Sequence, residues 1–469
     1  MKTYTPCLEP AVLDRLREYA DLFADEFPQS KPAAWAGVYL QGLLLDGERK
    51  SIEPLSHRVR LPEGLSSTDP EQPLQQFVNQ SPWDHDAVLK RYRAHLAHTF
   101  ASPDGIFLFD DVSFPKQGTH SVGVQRQYCG ALGKKANCQV AVSVHYVSPK
   151  GHYPLDLRLY LPDSWLTDGT RLDKAGVPKD QRRALTKPEI ASELLDRVRA
   201  EGLPGRSAVA DAGYGVSGPF RAGLEQRGLT YIVGVTGDFV VFTEQPTWDR
   251  PEPGRPGSGR PRTRPPLAPS RPRPVALSAL AERVRRQRVD WREGTKGMLS
   301  GHFAWLRVWP GHGWKTGDCA DEQPLWVLIE KPGDDGPLKF AFSNLPAGTS
   351  RIGAVRLWKS RWPVEQGYQQ LKEELGLDHF EGRSWRGFHH HAAMALLAYG
   401  FLLLERHRAT EERMQKKAAR PERVKKGYRA GAHVTRHSAR VAAPADALSQ
   451  ARLYLLSSGP PTPAQRVTE

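Results

Sequence analysis

The 469 residues carry 66 Lys+Arg against 52 Asp+Glu, a formal charge of +14 and a pI near 9.6, a balance that suits a polyanionic partner such as nucleic acid. Hydrophobic residues at 39% and 12 Trp exclude a wholly disordered chain, and the length allows two or three domains, because single cores stop growing at about 250–300 residues. Four scattered cysteines with no CxxC pair exclude a disulfide scaffold and a cysteine zinc site, and predict reduced thiols.

The first 97 or so residues read as helical. "EPAVLDRLREYADLF", "KPAAWAGVYLQGLLLDG" and "DHDAVLKRYRAHLAHTF" each repeat apolar residues at three-and-four spacing, which predicts a separate helical module. Its start shows no charged, apolar, then small-residue pattern, so no signal peptide is expected.

From residue 105 the period changes to two. "GIFLFD", "CQVAVSVHYV" and "YPLDLRLYLP" predict three strands. "KPEIASELLDRVRAEG" comes after them as a helix with Pro near its start, then "RSAVAD" as a strand, "SGPFRAGLEQRG" as a helix and "LTYIVGV" as a buried strand. The order is β-β-β-α-β-α-β, an α/β core.

Residues 246–274 are rich in Pro, Arg and Gly and cannot bury a core, so they predict a basic linker or loop. Three further strands, "SGHFAWLRVWP", "QPLWVLIEK" and "LKFAFSNLP", predict a β-rich piece interrupting the core, its tryptophans Trp291, Trp305, Trp309 and Trp314 mainly packed inside it. Helices resume from about 350 to 408. Within them "HAAMALLAYGFLLL" is too short an apolar run to cross a bilayer and reads as a buried helix. Beyond it lies a tail dense in Lys and Arg.

Two core strands end in acid. The first ends at Asp110 and Asp111, the fourth in "VADAGYG" at Asp211, where Gly213 and Gly215 allow a sharp turn. A right-handed crossover returns the fourth strand beside the first, so both acids are expected at the carboxyl edge of the sheet, where such sheets place ligands. The third element is "LWKSRWPVEQGYQQLKEELGLD", residues 357–378. At about 100° per residue, Trp358, Arg361, Glu365 and Lys372 fall within about 60° of one another on one helical face, with Pro363 bending the helix between them. Two aspartates and a glutamate form an all-oxygen set suited to Mg²⁺ or Mn²⁺, and two such ions can clamp the attacking and leaving oxygens of a phosphodiester. Arg361 and Lys372 can hold phosphates beside the acids. The run "FHHHAAM" does not suggest a metal site, because consecutive helical side chains diverge by about 100°.

These blocks resemble the bacterial insertion-sequence transposases of the DDE superfamily, whose third block reads Y-(2)-R-(3)-E-(6)-K. Trp358, Arg361, Glu365 and Lys372 reproduce every spacing, with Trp in place of Tyr, and the stretches from Asp110 and around Asp211 resemble the first and second blocks over a region from about residue 20 to 405. The resemblance implies an RNase H-like catalytic core and divides the chain into an N-terminal helical DNA-binding domain (1–98), the first part of the core (99–239), a β-strand insertion (240–346), the third-acid helix with its followers (347–408) and a basic tail (409–469). It implies Asp110, Asp211 and Glu365 as the metal-binding triad, with Asp110 favoured over Asp111 because the acid comes directly after the apolar strand. It also implies two Mg²⁺ or Mn²⁺ ions, DNA contacts by Trp358, Arg361 and Lys372, and double-stranded DNA as partner. A homodimer on DNA and a cytoplasmic, nucleoid-associated location are implied by it too. Two other readings share these residues: a relative that binds DNA without cutting it, and a metal-dependent nuclease without strand transfer.

Overall fold

A computed structural model describes residues 8–249, 265–268, 273–294, 297–320, 322–332 and 336–418. Most of the Pro/Arg-rich segment, and the basic tail beyond 418, lie outside the described residues. Five helices come first: α1 (Pro10–Asp21), α2 (Ser30–Leu44), α3 (Ile52–Ser56), α4 (Glu71–Asn79) and α5 (His85–Phe100). Pro10 opens α1 at a position where no backbone N–H is needed, and Asp84 caps α5 by accepting from Asp86 N at 2.9 Å.

The next strands are β1 (Ile106–Pro115), β2 (Gln125–Cys129), β3 (Lys134–Ser148) and β4 (Gly151–Leu159). After the short helices α6 (Asp163–Leu166) and α7 (Gly169–Lys174) come α8 (Lys187–Ala200), β5 (Ser207–Ala210), α9 (Ala212–Gly215), α10 (Gly218–Gln226) and β6 (Thr230–Val235). The strand-helix order expected for this stretch is therefore present, with β2, α6, α7 and α9 added. A capping box starts α8: the Thr186 hydroxyl accepts from Glu189 N, and the Glu189 carboxylate accepts from Thr186 N at 2.7 Å.

Next are β7 (Val240–Phe242), β8 (Val275–Ala276), α11 (Leu277–Arg283), β9 (Gln287–Gly294), β10 (Gly297–Pro310), β11 (Leu325–Lys331) and β12 (Lys339–Ser343). All twelve strands join one mixed sheet whose main path runs β2-β3-β1-β5-β6-β12-β11-β10-β7-β8. β1 lies parallel to β5, with Phe109 opposite Ala210, and antiparallel to β3, with Asp110 opposite Ser143. β5 and β6 are also parallel. The strands expected as a piece interrupting the core instead lengthen the same sheet, because β12 pairs antiparallel with β6.

The chain ends in α12 (Arg351–Lys359), α13 (Trp362–Gln369), a π-helical turn (Gln370–Glu374) and α14 (Trp385–Ala418). By length and composition α14 could cross a membrane, yet 94% of its most apolar window is buried inside the protein. It is central to the fold: α2, α4, α5 and β4 all pack against it. Arg15 of α1 forms a two-pronged ion pair with Glu405 of α14 at 2.8 and 2.6 Å. The N-terminal helices thus share one continuous buried cluster with α14 and the sheet, rather than standing as the separate module that their periodicity suggested.

Candidate active site

The run "IFLF" drives β1 into the core, and Asp110 enters with it, since Leu108 and Phe109 on either side of the backbone are fully buried. The Asp110 carboxyl is pushed up to about 7; burial is the main cause, Arg361 opposes it, and Asp211 adds to it. Its Oδ1 accepts from the Asp111 backbone N at 2.9 Å. Asp111 has different partners. Its carboxylate pairs with Lys187 at the start of α8 and accepts from the Tyr214 hydroxyl on α9.

Asp211 leaves β5 in an extended conformation and caps α9, its Oδ1 accepting from Gly213 N at 2.9 Å. Burial raises its pKa, Arg361 lowers it and Asp111 raises it. The glycines expected to make a sharp turn have another use. Gly215 faces β6, where an added Cβ would stand 1.9 Å from the Gly234 carbonyl oxygen, and a Cβ on Gly234 would stand 2.8 Å from Ala212 N. Close approach of two backbones sets the position of Asp211.

The third block is not one helix, so a single helical face does not describe Trp358, Arg361, Glu365 and Lys372. α12 stops at Lys359, and Ser360 turns its hydroxyl onto the Leu357 carbonyl at 2.7 Å. Pro363 lies in the first turn of α13, where its ring and missing N–H prevent continuation from α12. The π turn then adds residues to the repeat and rotates the chain beyond it. Trp358 is accordingly buried, at 7% exposure, with its indole N–H donating to Glu330 at 2.6 Å. Its ring packs with Leu328, Ala341 and Val355 and also borders the cavity beside α13.

Arg361 stands at the position just before α13 and is the main cation acting on both Asp110 and Asp211. One turn on, Glu365 is exposed; together with Arg361, Trp362 and Ala212 it lines a cavity of about 470 Å³. Lys372, on the π turn, donates to the Ser113 carbonyl at 3.1 Å and lies over the Phe114 ring. Among the described residues, no three His, Cys, Asp or Glu side chains stand close enough to hold one metal ion. Asp110 and Asp211 come together, while Glu365 remains on the cavity wall.

Sequence reasoning missed Lys187, Tyr214, Tyr368 and Glu330. Tyr368 bonds the Ser143 hydroxyl across from Asp110, and its position three residues after Glu365, one helical turn on, was the available signal. The three consecutive histidines diverge as the helix repeat requires: His389 toward Trp385 O, His390 toward the carbonyls of Val78 and Trp83, His391 toward the Tyr39 hydroxyl and Gly376 O.

A family model described as DDE superfamily endonuclease matches residues 22–298, a stretch that includes Asp110 and Asp211. The probable transposase for insertion sequence element IS701 of Microchaete diplosiphon is 30% identical over 226 residues, 48% of this chain and 54% of that protein. The chain thus spans about half the length of that relative. The cryo-EM structure of the piggyBac transposase synaptic complex with hairpin DNA aligns over 98% of this chain and 82% of its own, at 11% identity and a TM-score of 0.41.

Proposed function

Because the chain belongs to the DDE superfamily of endonucleases, we propose that it is an insertion-sequence transposase that cleaves the phosphodiester at the ends of its element and joins the freed 3′-hydroxyls to target DNA. The observation that carries this reading is the convergence of Asp110, which lies midway along β1 rather than at its end, and Asp211, which directly follows the neighbouring parallel strand β5, just beyond the Phe109–Ala210 rung that pairs the two strands; both are raised in pKa and opposed chiefly by one arginine.

Buried carboxyls that repel one another fit a divalent cation, which relieves the repulsion and favours hard oxygen donors. The residues that would hold Mg²⁺ or Mn²⁺ are Asp110 and Asp211, which converge, and Glu365 of α13, which stands apart on the cavity wall and would have to approach them. Bound there, such ions supply Lewis-acid stabilisation of the phosphodiester oxygens and an acidic water. The protein's own part is positional. Lys187 and Tyr214 engage the Asp111 carboxylate beside the ligand set, the α9–β6 contact fixes Asp211, and Arg361 and Lys372 offer cations to the phosphates. Two protomers pairing two DNA ends complete the proposal.

The test is cleavage and joining on duplexes carrying the element's terminal inverted repeats, with Mg²⁺ and with EDTA. Asp211→Ala and Glu365→Ala are expected to lose at least about 1000-fold, a loss equal to about 4 kcal/mol of barrier. Wild-type rates in either variant refute the triad. Cleavage without joined product points to a nuclease, and binding without cleavage in the unsubstituted protein points to a DNA-holding relative.

A further inference from the structure

The hairpin of β2 and β3 is not used by the chemistry above, and it is exposed and basic. β2 is the terminal strand of the sheet path. Register places Tyr128 opposite Lys135 and Arg126 opposite Asn137, so alternation puts Arg126, Tyr128 and Lys135 on one face. All three are exposed, Tyr128 at 63%. Lys134 is exposed at the tip, where Gly133 closes the turn at φ +62°. Arg126, Lys134 and Lys135 form no ion pair among the described residues, whereas most of the chain's arginines on α8 and its neighbours do.

The hairpin is aimed. β3 runs antiparallel to β1, with Asp110 opposite Ser143 and Pro115 opposite Cys138, so Lys135 lies beyond the carboxyl end of β1, the end toward which the acids lie. At about 3.3 Å per residue, the eight residues from Ser143 to Lys135 span roughly 26 Å, about seven or eight base pairs of duplex at 3.4 Å per step on each strand. Ser113 ties the two regions together: its hydroxyl accepts from Ala131 N at 2.9 Å in the hairpin turn, and its carbonyl accepts from Lys372. Cations therefore recur from the acids outward: Arg361 beside them, Lys372 on the Ser113 carbonyl, Lys135 and Arg126 on one face of the hairpin, and Lys134 at its tip.

We propose that the β2–β3 hairpin is a DNA-backbone contact surface that grips the duplex flanking the scissile phosphodiester, with Arg126, Lys134 and Lys135 on phosphates and Tyr128 donating its hydroxyl to a phosphate or sugar oxygen. The proposal rests on the endonuclease reading of the acids. Unpaired cations spaced along an exposed ribbon match a polyanion's regular charge, and an edge strand carrying lysine is also protected from pairing with another sheet.

The test uses the full chain in EDTA with a fluorescein-labelled 30-base-pair duplex of arbitrary sequence, read by anisotropy across a series of salt concentrations. Arg126→Ala with Lys135→Ala is expected to reduce the slope of log K against log[salt] by about 1.8, two phosphate contacts at about 0.9 each. Tyr128→Ala is expected to weaken binding about fivefold with the slope unchanged, and Tyr128→Phe to do the same, since the hydroxyl is the contact. An unchanged slope in the double variant overturns the proposal. So does a change in the protein's mass in solution with DNA binding intact, which would mark a surface for another protein chain. Cleavage activity surviving in Asp211→Ala refutes the acid assignment and leaves these slopes as they were, so the two failures are distinguishable.

Discussion

Asp110 carries a stability claim of definite sign. Its folded pKa of about 7 stands above the unfolded value of about 3.9. The native state therefore holds the extra proton between those pH values, and the burial of ionised Asp110 costs stability that is fully expressed above about pH 7 and absent below about pH 4. Asp110→Asn removes the charge while keeping the shape. In EDTA it is expected to stabilise the protein by about 2–4 kcal/mol at pH 8, with the gain vanishing toward pH 4. Thermal unfolding at pH 4, 6 and 8 measures this, and a difference that does not vary with pH contradicts the burial account. Mg²⁺ is expected to raise the melting temperature of the unsubstituted protein and not of the variant. Asp111→Asn has the opposite sign, because it breaks the pair with Lys187 in a half-open site, costing about 1 kcal/mol. The acids themselves were legible as residues, since each ends an apolar run; that Asp111 is held by Lys187 and Tyr214 was not, because those partners lie 76 and 103 residues away.

At the scale of elements, the legible part was the period that one strand or helix encodes by itself. β1, β3, β4, β5, β6 and the strands β10 to β12 announce themselves by alternation or apolar runs. β9, "QRVDWREG", does not: Arg288, Asp290, Arg292 and Glu293 dilute its apolar residues, and it becomes a strand only because β10 supplies its partner. The break between α12 and α13 was signalled by Pro363, but the π turn after Gln369 has no local mark, so the angle of Lys372 could not be obtained from a wheel. Gly215 shows the same limit. A glycine can be seen in the sequence, while the carbonyl it must avoid belongs to β6. Gly215→Ala is therefore expected to destabilise by about 1–3 kcal/mol, as overpacking against rigid backbone does, and to lower cleavage further by moving Asp211. Denaturant unfolding read beside cleavage rates checks it; an unaltered midpoint contradicts the close-approach argument.

Across the whole molecule, α14 gathers the N-terminal helices, the sheet and the π turn after α13 into one cluster, and histidines fill that cluster as neutral groups. Burial lowers the pKa of His145 and His152 to about 3 and of His391 to about 4, and holds His389 well below its ordinary value. Their folded pKa values lie below the unfolded value of about 6.5, so each contributes stability that is complete above that pH and is lost as pH falls. At pH 5 each charge kept out of the core costs about 2 kcal/mol, about 6 for His145, His152 and His391 together. Asp110 gains its proton in the same window and returns about 2–3 of that, leaving a net loss of about 3–4, a large share of ordinary domain stability. Cooperative unfolding is therefore expected between about pH 6 and 4.5, ahead of the loss of the carboxylate ion pairs, as monitored by circular dichroism at 25 °C. His145, which has no hydrogen-bond partner among the described residues and stands edge-on to the Tyr368 ring at 4.9 Å, is the cleanest place to intervene. His145→Leu removes one protonation site and one unsatisfied ring together, so its acid midpoint is expected to fall by about 0.3 pH units or more; a midpoint unmoved, or stability level from pH 7 to 4, shows that the buried rings do not set the acid limit of this fold.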